Sequence, residues 1–390
     1  MATEHGIPKL RIVEPSFDSP LTSVIIDLEK LRDNRLDSKT HPGIFFQIKH
    51  IFQLLESLGS ARIEGNNTTI AELVEKEISG SRNDDEIIGD DEINEIRNAE
   101  RAMDFIESRI KNNSKIDQAF ILNLHKIVVE NLAREGSRNP GELRFVDVGV
   151  GAHKPLPYTN VKKHFDELVD FINQKKQKKY DLLITAIAHH RFAWIHPFDN
   201  GNGRVVRLLT YAMLIKQGFN VKMGRIINPT AIFCINRDRY YEMLSQADRG
   251  RDSDILAWCE YVLKGLLEEI HKIDRLLDRD YLVQKILMPA LDFCLDRENI
   301  MKREHAILKS SITTDNMELT ASDLEKIIPG KLPSEKSRIL RKLKQKKMLV
   351  PVKEKARKYI IHFKHSYLLR GVIESLTHEG FIDKEFSIKS

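Results

Sequence analysis

Asp199-Asn-Gly-Asn-Gly-Arg-Val-Val-Arg207, with His196 three residues ahead of it, gathers residue types suited to phosphate chemistry. Two glycines within three residues let the backbone turn tightly and approach a ligand closely. The apolar residues Val205, Val206, Leu208 and Leu209 then start a helix, whose unpaired N–H groups and positive dipole end make a site for phosphate. Arg204 and Arg207 are three apart, so both can lie on one face of the first turn and offer forked donors to phosphate oxygens. A histidine just before such a loop is placed to take a proton from an attacking hydroxyl. Each piece alone has a plainer reading: a turn, loop punctuation, a solvated face. Their combination between His196 and Arg207 favours chemistry.

The elements that must hold this loop read mostly as helices. Apolar residues recur at helical spacing over 50–59, 93–110 and 116–132, and further helices are expected at 160–173, 181–195, 203–216, 236–248 and 254–277. Start signals stand at Ser114 or Asp117, Thr159 or Asn160, and Asp252 or Ser253. The clearest strand signal is 143–157, where Val146 and Val148 alternate before glycines and prolines. It reads as a short hairpin or extended flap, with Gly149 and Gly151 allowing the turn.

At 390 residues the chain is long enough for more than one domain. No stretch approaches the run of about 20 apolar residues that a transmembrane helix needs, and the N-terminus lacks the pattern of a signal peptide. Cys234, Cys259 and Cys294 are far apart and in no metal-ligand spacing, which suits a reducing cytosol and buried side chains. The expected location is therefore cytoplasmic, where the sequon at Asn67 carries no meaning. A zinc site at His189, His190 and His196 fails on spacing and on the lack of further ligands, so the first two read as packing residues. Charge is uneven: residues 291–390 hold 21 Lys and Arg against 14 Asp and Glu, while the remainder is near neutral.

His196-Pro-Phe-Asp-Asn-Gly-Asn-Gly-Arg-Val-Val-Arg207 resembles the signature of the Fic family, His-x-Phe-x-(Asp/Glu)-Gly-Asn-Gly-Arg-x-x-Arg. The resemblance extends outward to Ala186–Phe198, Asn139–Arg144, Pro155–Val161 and Arg239–Tyr241, and covers roughly Ser60 to Leu277. It implies a mainly α fold, a Fic-type helical core with a short β-hairpin flap, and a protein adenylyltransferase that moves AMP from ATP onto a protein hydroxyl. On that resemblance His196 is the base, and Gly201, Asn202 and Gly203 form the anion hole. Arg204 holds the phosphate chain, Arg207 the γ-phosphate, and Tyr241 contacts the nucleoside. Phe198 anchors the loop, and the flap registers the target segment by strand addition.

One position departs from the pattern. The family's acidic Mg²⁺ ligand falls at Asn200, a neutral amide that attracts the ion less than a carboxylate, and Asp199 takes the variable place before it. Retained transfer with altered metal binding is the favoured reading, and a degenerate core is the alternative. Position 248, where related proteins often have Asn, is Asp. Ser60-Ala-Arg-Ile-Glu-Gly65 also matches the family's inhibitory pattern (Ser/Thr)-x-x-x-Glu-(Gly/Asn). It implies that Glu64 pairs with Arg207 and keeps it from the γ-phosphate. Removal of AMP with Glu64 orienting water, or transfer of another nucleotide or phosphate, are further alternatives.

The segments follow as 1–110, a helical region with the inhibitory helix; 111–280, the Fic core; and 291–390, a winged-helix module. The last rests on the order of its signals: a short helix at 319–328, a break at Pro329-Gly330, a basic helix at 334–348, and two short strands around a charged turn at 349–363. Residues 331–358 hold 12 basic and 2 acidic side chains. DNA is one expected partner there, and protein binding, including a homodimer, is the other.

Overall fold

The computed structural model describes residues 9–33, 40–79, 91–112, 114–149, 153, 155–219, 229–234, 236–354 and 356–382. Its contacts divide the chain into two compact units. One takes residues up to 36, 53–66 and 89–271; the other takes 37–52, 67–88 and 272–390. The 1–110 segment is thus shared between both units rather than forming one of its own.

In the first unit, α1 (Pro20–Asp33) and the second half of α2 (Pro42–Ile63) precede α4 (Asp91–Arg109), with α3 (Ile70–Ser79) contributing to the other unit. Then come α5 (Gln118–Val129), α6 (Tyr158–Asn173), α7 (Asp181–Ile195), α8 (Asn202–Lys216), α9 (Pro229–Cys234), α10 (Arg237–Ala247) and α11 (Asp252–Asp274). The Asp117 side chain caps α5 by accepting from Phe120 N at 2.8 Å, and Asn236 caps α10 through Arg239 N at 2.8 Å. α7 and α8 pack on each other and are buried on nearly every face, as helices apolar all round must be. α5 and α4 flank α8, and α6 flanks α7. Trp258 of α11 is fully buried and donates to the Ala186 carbonyl of α7 at 2.6 Å.

In the second unit, the N-terminal half of α2 and α3 join α12 (Arg279–Tyr281), a π turn (Leu282–Leu287), α13 (Met288–Asp296), α14 (Lys302–Thr313), α15 (Pro333–Gln345) and α16 (Leu368–His378). β1 (Leu349–Pro351) pairs antiparallel with β2 (Tyr359–Ile361). The helix expected over 319–328 is only a 3₁₀ turn at Asp323–Lys326. Leu319 is drawn into a bridge with Tyr359, and Thr320 bonds Asp323 at 2.7 Å through its N–H, so the chain becomes helical only after them. Gln47 bonds the Ile361 carbonyl and Phe363 N–H at 2.9 and 2.8 Å, closing the end of β2. Cys259 and Cys294 are buried and unpaired; the Cys234 side chain lies outside the described residues. Among the described residues no helix is long and apolar enough to cross a membrane.

Residues 143–149 and 155–157 form no ladder among themselves, and the turn at Gly151 lies outside the described residues. Instead the Arg144 side chain, wholly buried, donates to the carbonyls of His196, Val146 and Leu156 at 2.7, 2.9 and 2.5 Å. One guanidinium thus ties both arms of the segment to the end of α7.

Candidate active site

His196 ends α7 in the left-handed region, at φ 51°. That conformation is rare for a residue with a side chain and persists only where its surroundings fix it. Here Arg144 holds the His196 carbonyl and the Arg144 N–H donates to the Pro197 carbonyl at 2.9 Å. Phe198 is fully buried and stacks on His125 with ring centres 3.8 Å apart. His125 Nδ1 accepts from Gly141 N–H at 3.0 Å, which leaves its Nε2–H to donate to the Asn200 carbonyl at 3.2 Å. Burial drives the His125 pKa down to about 4, so this neutral tautomer is the stable one. Asn202 closes the loop with its own amide, bonding Phe198 N and O at 2.9 Å each.

The two glycines have separate reasons. Gly201 sits at φ 74°, and a Cβ there would also meet Val129 Cγ1 at 2.8 Å. At Gly203 a Cβ would fall 2.1 Å from Glu64 Oε1, so this glycine is what lets the carboxylate reach the start of α8.

Glu64 follows the end of α2, and its Oε1 accepts from Arg207 Nη2 at 2.8 Å. Ser60 supports the same guanidinium twice, its hydroxyl accepting from Nε and its carbonyl from Nη2, both at 2.9 Å. Burial opposes ionisation of Glu64, but Arg207, with help from Arg204 and Arg237, holds its carboxyl below the ordinary range. The guanidinium groups of Arg204 and Arg207 reach different partners. Arg204 turns the other way, to Glu95 at 3.2 Å and the Glu135 carbonyl at 2.7 Å. Both arginines are buried on an apolar helix, so each requires its own acidic partner.

Glu64, His196, Gly203, Arg207, Tyr241 and Asp248 line one cavity of about 600 Å³, a size that suits a nucleotide. Asn202 lines it as well, whereas Arg204 and Asn200 do not. Burial pushes His196 down to about 4, which makes it a neutral base at pH 7. Tyr241 is partly exposed, with the Arg237 guanidinium 5.6 Å from its ring centre. His189 and His190 are buried packing residues: the first bonds Thr210 and Tyr240, the second Asp248.

The loop does not fit Mg²⁺ as arranged. Asn200 Oδ1 accepts from Gly201 N–H at 2.7 Å, and its amide donates to the Gly136 carbonyl at 3.1 Å. Asp199 is taken by the Ser137 hydroxyl at 2.6 Å and by Arg138 N–H. Among the described residues no group of three or more His, Cys, Asp or Glu is placed to hold a metal ion.

Sequence reasoning missed His125, Arg144 and His153. Each acts through contacts with residues far along the chain, and none stands at a spacing that would have marked it.

Residues 115–214 match the Fic/DOC family model. The chain is similar to a protein adenylyltransferase Fic of Drosophila willistoni, 31% identical over 49% of this chain and 36% of the relative. A protein adenylyltransferase Fic of Nematostella vectensis is 29% identical over 44% and 38%. The chain therefore spans under two fifths of the length of these curated relatives. Among solved structures, a Fic family protein from Desulfovibrio desulfuricans G20 aligns with a TM-score of 0.54 at 18% identity, covering 90% of this chain and 98% of that one. Fic-1 from C. elegans aligns with a TM-score of 0.52 at 23% identity, covering 65% and 71%. The architecture is thus the Fic-type helical fold, and residues 115–214 are the part of it that matches the Fic/DOC family model.

Proposed function

We propose that this chain is a protein adenylyltransferase held off by its own Glu64. The observation that carries the reading is the contact of Glu64 with Arg207 inside the cavity that His196 also lines. In the proposed reaction neutral His196 accepts the proton of a Ser, Thr or Tyr hydroxyl of a protein, itself included. That oxygen attacks the α-phosphorus of ATP, and the bond to pyrophosphate breaks. Asn202 and Gly203 at the start of α8 receive phosphate oxygens through main-chain N–H groups, and Gly201 joins them once its N–H leaves Asn200 Oδ1. Arg207 binds the γ-phosphate once Glu64 has left it, and Tyr241 flanks the nucleoside. Arg204 can serve the phosphate chain only by leaving Glu95 and Glu135. Mg²⁺, expected with ATP, finds no loop carboxylate free to receive it, and no step is assigned to it.

The C-terminal order of α14, the Leu319 bridge, the 3₁₀ turn, α15 and the β1–β2 pair supports a winged-helix reading for 291–390. A second reading, an inactive core serving a DNA-binding regulator, is favoured by the engagement of Asp199 and Asn200 within their own loop.

The test is labelling with α-labelled ATP. Glu64→Gly is expected to label itself or a partner about tenfold or more above wild type, the factor that removing ~1.4 kcal/mol of blocking contact yields. Adding His196→Ala should cut that by roughly 10²- to 10⁴-fold, the usual worth of a general base. Equal labelling with and without His196 refutes the transfer reading, and no labelling after loss of Glu64 favours the inactive core.

A further inference from the structure

His153 meets two oxygens that can only accept. Its Nδ1 lies 3.0 Å from Asp248 Oδ2, and its Nε2 lies 3.2 Å from the Trp194 carbonyl. A neutral imidazole has a single N–H and cannot serve both. We propose that His153 is a fixed imidazolium of this cavity, a positioning residue whose charge, held by Asp248, adds to burial in disfavouring a proton on His196, which lines the same cavity. The inference rests on the transfer reading for its purpose, but not for its observation.

The surroundings bear this out from each element that packs there. Asp248, just after α10, spends both oxygens on histidines: Oδ2 on His153 and Oδ1 on His190 Nε2 at 2.9 Å. Those hydrogen bonds outweigh its burial and keep its carboxyl ionised, down to about 2. From α7, deeply buried His190 is pushed toward the neutral form, chiefly by desolvation, with Arg191 adding to it. The hydrogen bond to Asp248 raises His153 instead, against a smaller loss from burial. Of the two histidines on one carboxylate, the positive charge therefore rests on His153. Its field acts on His196 in the same sense as burial, as does that of Arg144, while Glu64 opposes them. An asparagine at 248 could accept from a ring N–H, but it would supply no negative charge to hold an imidazolium. The acidic residue at this position is thus tied to the charge of His153.

The experiment is imidazole NMR on the full chain with ¹⁵N- and ¹³C-labelled histidine, without nucleotide, across pH 4–9. His153→Asn and Asp248→Asn serve for assignment and as variants. In wild type both His153 nitrogens should be protonated at pH 6.5 with a midpoint above it. In Asp248→Asn that midpoint should fall by on the order of one unit or more, the loss of a close opposite charge. In His153→Asn the His196 midpoint should rise, because Asp248 then stands unbalanced. In a Glu64→Gly background the acid limb of the labelling profile should move up with it. A His153 midpoint at or below 6.5 in wild type overturns the proposal, as does a His196 midpoint unmoved in His153→Asn. The unchanged signal of His189, fixed between Thr210 and Tyr240, reports that the variants fold. Should labelling fail while the titrations hold, the transfer reading falls and the charge assignment stands.

Discussion

Two side chains of one cavity are held in opposite charge states by unlike means. Glu64 is ionised because Arg207 outweighs its burial. His196 is neutral because little outweighs its own. The direction of each shift fixes a pH dependence. Glu64 is depressed, so its contribution is complete above the unfolded carboxyl value and is lost only as pH falls through its lower folded value; mild acid does not open the contact. His196 and His125 are also depressed, both to about 4, but as histidines they are stabilising while neutral. Below about 6.5 the unfolded chain takes up protons that the folded chain refuses. The melting temperature is expected to fall steadily from pH 6.5 to 4 by calorimetry. A His125→Gln variant should lose part of that slope even if its melting temperature at pH 7 is lower. The neutral state of His196 was not legible in the sequence, which marks the residue but not how deeply it is buried.

At the scale of elements, the loop between α7 and α8 keeps its shape because other parts of the chain tie it down. The helices around it were legible to within a few residues, since apolar periodicity and a cap such as Asp117 are local signals. The arginines were harder to read. A spacing of three allows a common face, yet Glu95 on α4 and Glu64 after α2 draw the two guanidinium groups apart. At the flap, alternation at Val146 and Val148 is a local signal of extended chain, but the buried arginine that holds the segment by its carbonyls is not. That contact can be weighed. Arg144→Met keeps the apolar stem and removes the donors, leaving the buried carbonyls of Leu156 and Ile195 without this partner. At about 1–3 kcal/mol for each of these two unsatisfied buried groups, the loss is expected at roughly 2–6 kcal/mol. Hydrogen exchange should quicken at 143–149 more than in α6. Equal protection in variant and wild type would show that the segment is held by packing alone.

At the scale of the whole molecule, the basic excess of residues 291–390 belongs to the second unit, but much of it is already spent there. Lys336 is buried against Glu325, Lys346 pairs with Glu304 at 2.6 Å, and Lys358 pairs with Glu318 at 2.8 Å. A count of charges along the chain could not show this, because Glu304, Glu318 and Glu325 lie upstream of the basic run. Exposed on and just after α15, besides the paired Lys346, are Arg338, Arg341, Lys342, Lys344 and Lys347. If this face binds DNA, about five phosphate contacts give a slope near −4.5 for log K against log salt, at about 0.9 per phosphate. Reversing Arg338, Arg341 and Lys342 to Glu should flatten that slope and weaken binding on every duplex sequence alike, since phosphate contacts carry no sequence information. Lys346→Gln, which removes a charge already paired with Glu304, should leave the slope nearly unchanged. Fluorescence anisotropy at several salt concentrations reads all three proteins. A flat slope in wild type removes nucleic acid from the partners of α15 and leaves protein, where exposed Met301 and Leu332 in the same unit offer apolar contacts beside the charge.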